Sequence, residues 1–167
     1  LETLPGITRS LLRIAALDDS PSLAEIYRAT RQFTGATAGT AELDPAVRAR
    51  LVQVVGTELK FGHPLMRSAI HQTMPTGVRH AAHAALAAVL DDHPDRRLRH
   101  LAAAAQAPDE TVAAALEDAA HRAARRGGIA AAVTALEQAA ALREDADSRA
   151  ARLLRPADFA RVLRRPR

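Results

Sequence analysis

Cysteine and tryptophan are absent from this chain, lysine occurs once, and aromatic side chains make up only 2% of its 167 residues. Without Cys there can be no disulfide, no thiolate metal site and no Cys nucleophile. The single Lys, Lys60, lies in Glu58-Leu59-Lys60-Phe61 with no Gly-rich phosphate cradle before it, which excludes a P-loop. No apolar run approaches the roughly 20 residues that a membrane-spanning helix needs. Nor does a charged-then-apolar signal segment open the chain. The expectation is a cytoplasmic protein with no membrane partner. Ser10, Ser20, Ser22, Ser68 and Ser148 sit in no nucleophile-elbow context, and the pairs Asp18-Asp19 and Asp91-Asp92 fall at helix ends, where acids serve as caps and turns. No catalytic residue is expected, and the chain is not expected to be an enzyme.

What is present is mostly alanine and arginine. Hydrophobic residues amount to 48%, yet Ala dominates them, and Ala-rich, aromatic-poor composition favours closely packed helices over a β-sandwich. The length suits one sizeable core or two small ones. The formal charge is only +4, although the pI is about 10.8 because nearly every cation is Arg. So modest a net charge argues only weakly for nucleic acid. Leu1 in place of Met suggests numbering that starts inside a longer protein or after processing.

Residues 1–74 and 75–155 read differently. In the first part, residues 8–17 carry Leu11, Leu12, Ala15 and Ala16 on one helical face, stopped by Asp18-Asp19-Ser20-Pro21. Ser22 is placed to cap a second helix to about Arg31, with Glu25 as its capping-box partner. A loop follows at 35–39, then a third helix from an Asp44 cap with Pro45 at its first position, ending near Leu51. The run 52–61, turning at Gly56-Thr57, reads as a β-hairpin. Three helices and a hairpin describe a winged helix, with a further helix over 65–73.

From Gly77 onward the pattern is helical throughout. Val78, Ala82, Ala85, Leu86, Val89 and Leu90 form one apolar stripe. A shorter helix carries Leu98, Leu101, Ala102 and Ala105. Asp109 caps the next, with Val112, Ala115, Leu116, Ala119, Ala120 and Ala123 expected inward, and Arg125-Arg126-Gly127-Gly128 ends it. Ile129, Val133, Leu136, Ala139, Ala140 and Leu142 make its partner. The pair 110–142 has about the length of one tetratricopeptide unit, with Gly128, Leu136 and Ala139 placed roughly as in that motif, although no second copy is evident. The fold class expected is therefore mainly α: a winged helix (1–74) followed by antiparallel helix pairs opening a TPR-like solenoid (75–155). A last helix over 147–154 and a frayed basic tail over 156–167, with Arg161, Arg164, Arg165 and Arg167, complete the reading.

The junction at Phe61-Gly62-His63-Pro64-Leu65-Met66-Arg67 carries the most chemistry. A strand ends in Gly, and Pro64 suits the first position of the helix that follows. His63 thus stands at a helix N-terminus, where free N–H groups and the macrodipole favour an anion. The plain alternative is a His that caps or packs without a ligand, and an Arg67 that is solvated or ion-paired. His80 and His83 share a helix face at i and i+3, but no carboxylate completes a zinc-like set, so no metal is assigned. His71, His93, His100 and His121 are scattered.

With these residues in view, the chain resembles the central part of LuxR-type large ATP-binding transcriptional regulators, the MalT-like signal-transduction ATPases. One stretch is Leu59-Lys60-Phe61-Gly62-His63-Pro64-Leu65-Met66-Arg67-Ser68-Ala69-Ile70, similar to the family's Phe-x-His-Pro-Leu-x-Arg-x-Ala run. The other starts at Arg96-Arg97-Leu98-Arg99-His100-Leu101-Ala102 and leads through Val112 to Glu117 and Arg126-Gly127-Gly128 to Ala135-Leu136-Glu137-Gln138-Ala139-Ala140. The likeness spans residues 5 to about 154. It implies a winged helix and the start of a helical-repeat arm, between an upstream ATPase module with Walker motifs and a C-terminal helix-turn-helix that reads DNA. By that resemblance the piece itself holds no cofactor, ADP or ATP being bound by the longer protein, and DNA would be met only through the absent helix-turn-helix. His63 would touch a nucleotide phosphate, with Arg67 as a second contact. Related switch ATPases carry Met-His-Asp where Gly62-His63-Pro64 stands here.

Three functions follow as expectations. The first is a regulatory and relay segment, in which the winged helix contacts ADP held by an upstream ATPase module in cis and the arm passes on effector or partner signals. The second is a helical scaffold for protein–protein contacts. The third is a small DNA-binding winged helix using Arg48, Arg50 and Lys60, although Glu42, Asp44 and Glu58 beside them make a poor phosphate-tracking surface.

Overall fold

The computed structural model describes residues 3–20 and 22–143, and the chain divides into two units, Leu1–His93 and Pro94–Arg167. The architecture is mainly helical with one small antiparallel hairpin, as composition and periodicity indicate. The helix expected over 147–154 and the tail over 156–167 lie outside the described residues.

In the first unit the order is α1 (Gly6–Leu17), α2 (Leu23–Thr34), α3 (Thr40–Arg48), β1 (Val52–Val55), β2 (Glu58–Phe61), α4 (Pro64–Gln72) and α5 (Thr76–Ala87). The strands pair Val52 with Phe61 and Val54 with Leu59, so the apolar side chains of the two share one face. The turn has its two central residues at Gly56 and Thr57. Gly56 takes φ +61°, the requirement at the first central position of a type II′ hairpin turn. Before α2, Ser22 forms an isolated bridge with Glu58, and the Leu23 N–H donates to Thr57 O at 2.9 Å. That short contact adds a third strand position beside the wing, completing the winged-helix order of elements.

The core of this unit is built from Leu11, Leu12 and Ile14 of α1, Ile26 and Ala29 of α2, Leu43 and Ala46 of α3, Val52, Leu59 and Ile70. The Thr8 hydroxyl, fully buried, donates to Glu42 O at 2.6 Å and ties α1 to α3. Two local readings are corrected. Helix α3 begins at Thr40, not after Asp44, because the Glu42 carboxylate accepts from Gly39 N–H at 2.8 Å and caps the earlier turn; Pro45 therefore sits inside the helix. Ser22 is the N-cap of α2 but its hydroxyl makes no cap bond, and Glu25 turns inward instead, meeting His93 Nε2 at 3.4 Å. Helix α5 adds Ala82, Ala85 and Leu86 to this core, within the unit that runs to His93.

The second unit holds α6 (Pro94–Ala104), α7 (Glu110–Arg125) and α8 (Ile129–Ala141). Asp109 caps α7 through Val112 N–H at 3.0 Å, as its position in the sequence suggests. At the other end Gly127 takes φ +81°, reversing the chain so that α8 returns along α7. The Asp109 N–H donates to Leu142 O at 2.9 Å, which sets the start of α7 against the end of α8 and makes the pair antiparallel. Between them Ala113, Leu116, Ala120, Ala132, Leu136 and Ala139 are buried, and small side chains let the two backbones approach closely.

Candidate functional site

The end of α3 and the end of β2 meet at one crowded point, and that point places His63. Helix α3 finishes in a Schellman arrangement: Leu51 N–H donates to Ala46 O at 3.0 Å and Arg50 N–H to Val47 O at 2.9 Å. Arg50 occupies the left-handed position at φ +56°, which a side chain adopts at a cost of about 1–2 kcal/mol. Gly62 N–H then donates to Leu51 O at 2.8 Å, and a Cβ on Gly62 would lie 2.6 Å from Arg50 O. Only glycine allows β2 to leave the wing this close to the α3 terminus.

One residue later His63 is extended (φ −148°, ψ 139°) and is the N-cap of α4, with Pro64 at the first helical position. Its Nδ1 accepts from Leu65 N–H at 3.1 Å. In a neutral imidazole one nitrogen accepts and the other carries the proton, so this cap fixes the proton on Nε2. The residue is exposed, and Nε2 has no partner among the described residues. The expected row of free backbone donors is shorter than the sequence implied. Pro64 has no N–H, Leu65 donates to the ring, and Met66 N–H donates to His63 O at 3.0 Å. What the α4 terminus offers an anion is chiefly the Nε2–H of His63.

Arg67, one turn on, points elsewhere. Its Nε donates to Ala16 O at 3.1 Å, and Nη2 donates to Asp18 O and to Asp19 Oδ1, the latter at 2.9 Å. Helix α1 carries no basic residue in its last turn and ends in an extended Asp18, so its final carbonyls need donors from outside. The Arg67 guanidinium supplies them and offsets the negative end of the helix. Beside it lies a cavity of about 50 Å³ lined by Ala15, Ile26, Leu59 and Phe61, room for a water or two but not for a nucleotide. The two residues singled out in the sequence thus play different parts, with His63 presented outward and Arg67 holding α4 onto α1. A helix end with neither a cation nor a Gly cap of its own was the signal for the second role.

His80 and His83 lie together on α5, and among the described residues no group of three or more His, Asp or Glu gathers as a metal site would require. Lys60 pairs with Glu58 at 3.6 Å. The outward side of α3 presents Ala41, Asp44, Val47 and Arg48, a mixed surface ill suited to tracking phosphates. Val47, Val54, Val55 and Leu65 are large apolar side chains left exposed on α3, the wing and the start of α4. No helix among the described residues is long and apolar enough to cross a membrane. No protein-family model, curated protein or solved structure matches the chain.

Substitution tests this geometry directly. Gly62→Ala is expected to lower unfolding free energy by about 2 kcal/mol or more, since the clash is with backbone, whereas Arg50→Gly should raise it by about 0.5–1 kcal/mol. Urea unfolding of the three proteins measures both; equal midpoints for Gly62→Ala and the parent chain would contradict the close approach. Arg67→Ala should cost about 1–3 kcal/mol by stranding the α1 carbonyls. Arg67→Lys should recover little of it, because an ammonium cannot span those acceptors as the guanidinium fork does.

Proposed function

We propose that this chain is the regulatory and relay segment of a nucleotide-switched transcriptional regulator of the LuxR type, in which the winged-helix unit contacts the phosphate of ADP held by an upstream ATPase module in cis. The observation that carries this reading is the state of His63: an exposed imidazole at the start of α4, its Nδ1 taken by its own helix and its Nε2–H unpartnered among the described residues. A donor fixed in direction on rigid elements, free of an internal acceptor, is what a phosphate oxygen requires. The motif around it, Phe61-Gly62-His63-Pro64-Leu65-Met66-Arg67, supplies the family likeness.

In this reading each nucleotide state biases the orientation of the winged-helix unit only by as much as it changes the His63 contact. Arg67 takes no phosphate; it fixes α4 so that His63 keeps its aim. The helical unit would carry effector or partner signals. A protein-interaction scaffold without a nucleotide role is the second reading, favoured by the exposed Val47, Val54, Val55 and Leu65. In the first reading, DNA contact would belong to a C-terminal helix-turn-helix of the longer regulator.

The test is ADP affinity in a protein that includes the upstream ATPase module. Loss of one hydrogen bond to a charged phosphate corresponds to about 1.5–3 kcal/mol, so His63→Ala should weaken ADP by at least about tenfold. His63→Asn, which can cap the helix but not donate from the same point, should weaken it similarly while preserving stability. Unchanged ADP affinity in both variants would remove the sensor role and leave the scaffold reading.

A further inference from the structure

The second unit contains a groove of about 350 Å³ bounded by α6, α7 and α8, within the range of small-molecule sites. Its floor is apolar: Leu98 from α6, Leu116, Ala119 and Ala123 from α7, and Ala135 from α8. Alanines leave the space open where larger side chains would fill it. At the mouth, cations outnumber acids among the described residues. The Asp95 carboxylate faces two guanidiniums, Arg122 at 3.2 Å on Oδ1 and Arg126 at 3.5 Å on Oδ2. The half-charge at the helix terminus offsets only part of this excess. Gln138, also on the groove wall, keeps its side-chain Oε1 out of water with no donor among the described residues. An acceptor left in that condition calls for a guest that brings a hydroxyl or N–H.

We infer that this groove binds a small amphipathic organic anion, with an apolar body on the alanine floor, its anionic group against Arg126 and a hydrogen-bond donor toward Gln138. The inference rests on the relay reading for its consequence, since it gives the arm a ligand class, but the binding stands or falls by itself. A partner helix is a poorer occupant, because a recess of this volume accepts a few side chains and not a helix face.

Anilinonaphthalene sulfonate has all three features, an aromatic body, an N–H and a sulfonate, and its fluorescence reports transfer to an apolar site. Titration into the 167-residue chain should give a saturable rise. Arg126→Glu should weaken the sulfonate probe by about tenfold or more while leaving uncharged phenylnaphthylamine unaffected. Ala119→Phe, which plugs the floor, should remove the binding of both; Ala131→Phe, at the exposed rim, replaces it if Ala119→Phe loses helical circular dichroism. No saturable rise would overturn the inference. So would a rise indifferent to every one of these changes, which would put the probe on the exposed valines of the winged helix. Because no ATPase module is needed, failure here leaves the ADP contact of His63 standing, and failure there leaves the groove standing.

Discussion

The structure of the first unit turns on the approach of Gly62 to the Arg50 carbonyl. At that point the chain leaving the wing touches the chain leaving α3, and no side chain can stand between them. Everything that gives His63 a direction follows from it. The contact fixes where β2 ends, Pro64 starts α4 at once, and the imidazole has no choice but to fold back on Leu65 N–H as the cap. Arg67 then pins α4 from its inner side to the end of α1, fifty-one residues away in sequence. Two backbone constraints and one guanidinium convert a flexible surface His into an oriented donor.

This division of labour changes how the Gly62-His63-Pro64-Leu65-Met66-Arg67 run is understood. As a motif it suggests two phosphate contacts; in the structure Gly62 permits the close approach, His63 caps α4 and Arg67 holds α4 to the end of α1. Capping and ligand contact are not rivals for His63. The cap consumes Nδ1 and thereby leaves the Nε2 proton available, so the ordinary structural role prepares the proposed functional one.

Much of the fold was legible because its signals are local. The turn at Gly56-Thr57, Asp109 at the start of α7, Pro64 at the start of α4 and Arg125-Arg126-Gly127 at the end of α7 each act through residues adjacent in sequence. What escaped the sequence acts at a distance or through alanine. Glu25 stands in capping-box register with Ser22, and only the tertiary arrangement shows that it meets His93 instead. The early start of α3 depends on Glu42 reaching Gly39, a choice that competes with the equally plausible Asp44-Pro45 start. Along α7 and α8, runs of Ala blur the helical period, so Ala113 and Ala132 are buried without having stood out from their neighbours. The partners of Arg67 and the alanine-floored groove could not be read from the chain at all, since both arise from elements brought together by packing.

Nitrogen NMR of the His63 imidazole reports the tautomer and its cap to Leu65. With the ring neutral, Nδ1 should resonate as the unprotonated, hydrogen-bonded nitrogen and Nε2 as the protonated one, and the Leu65 amide should show a coupling to Nδ1 across the hydrogen bond. A ring that exchanges freely between tautomers, or one protonated at Nδ1, with a Leu65 amide uncoupled from it, would contradict an oriented donor at the head of α4.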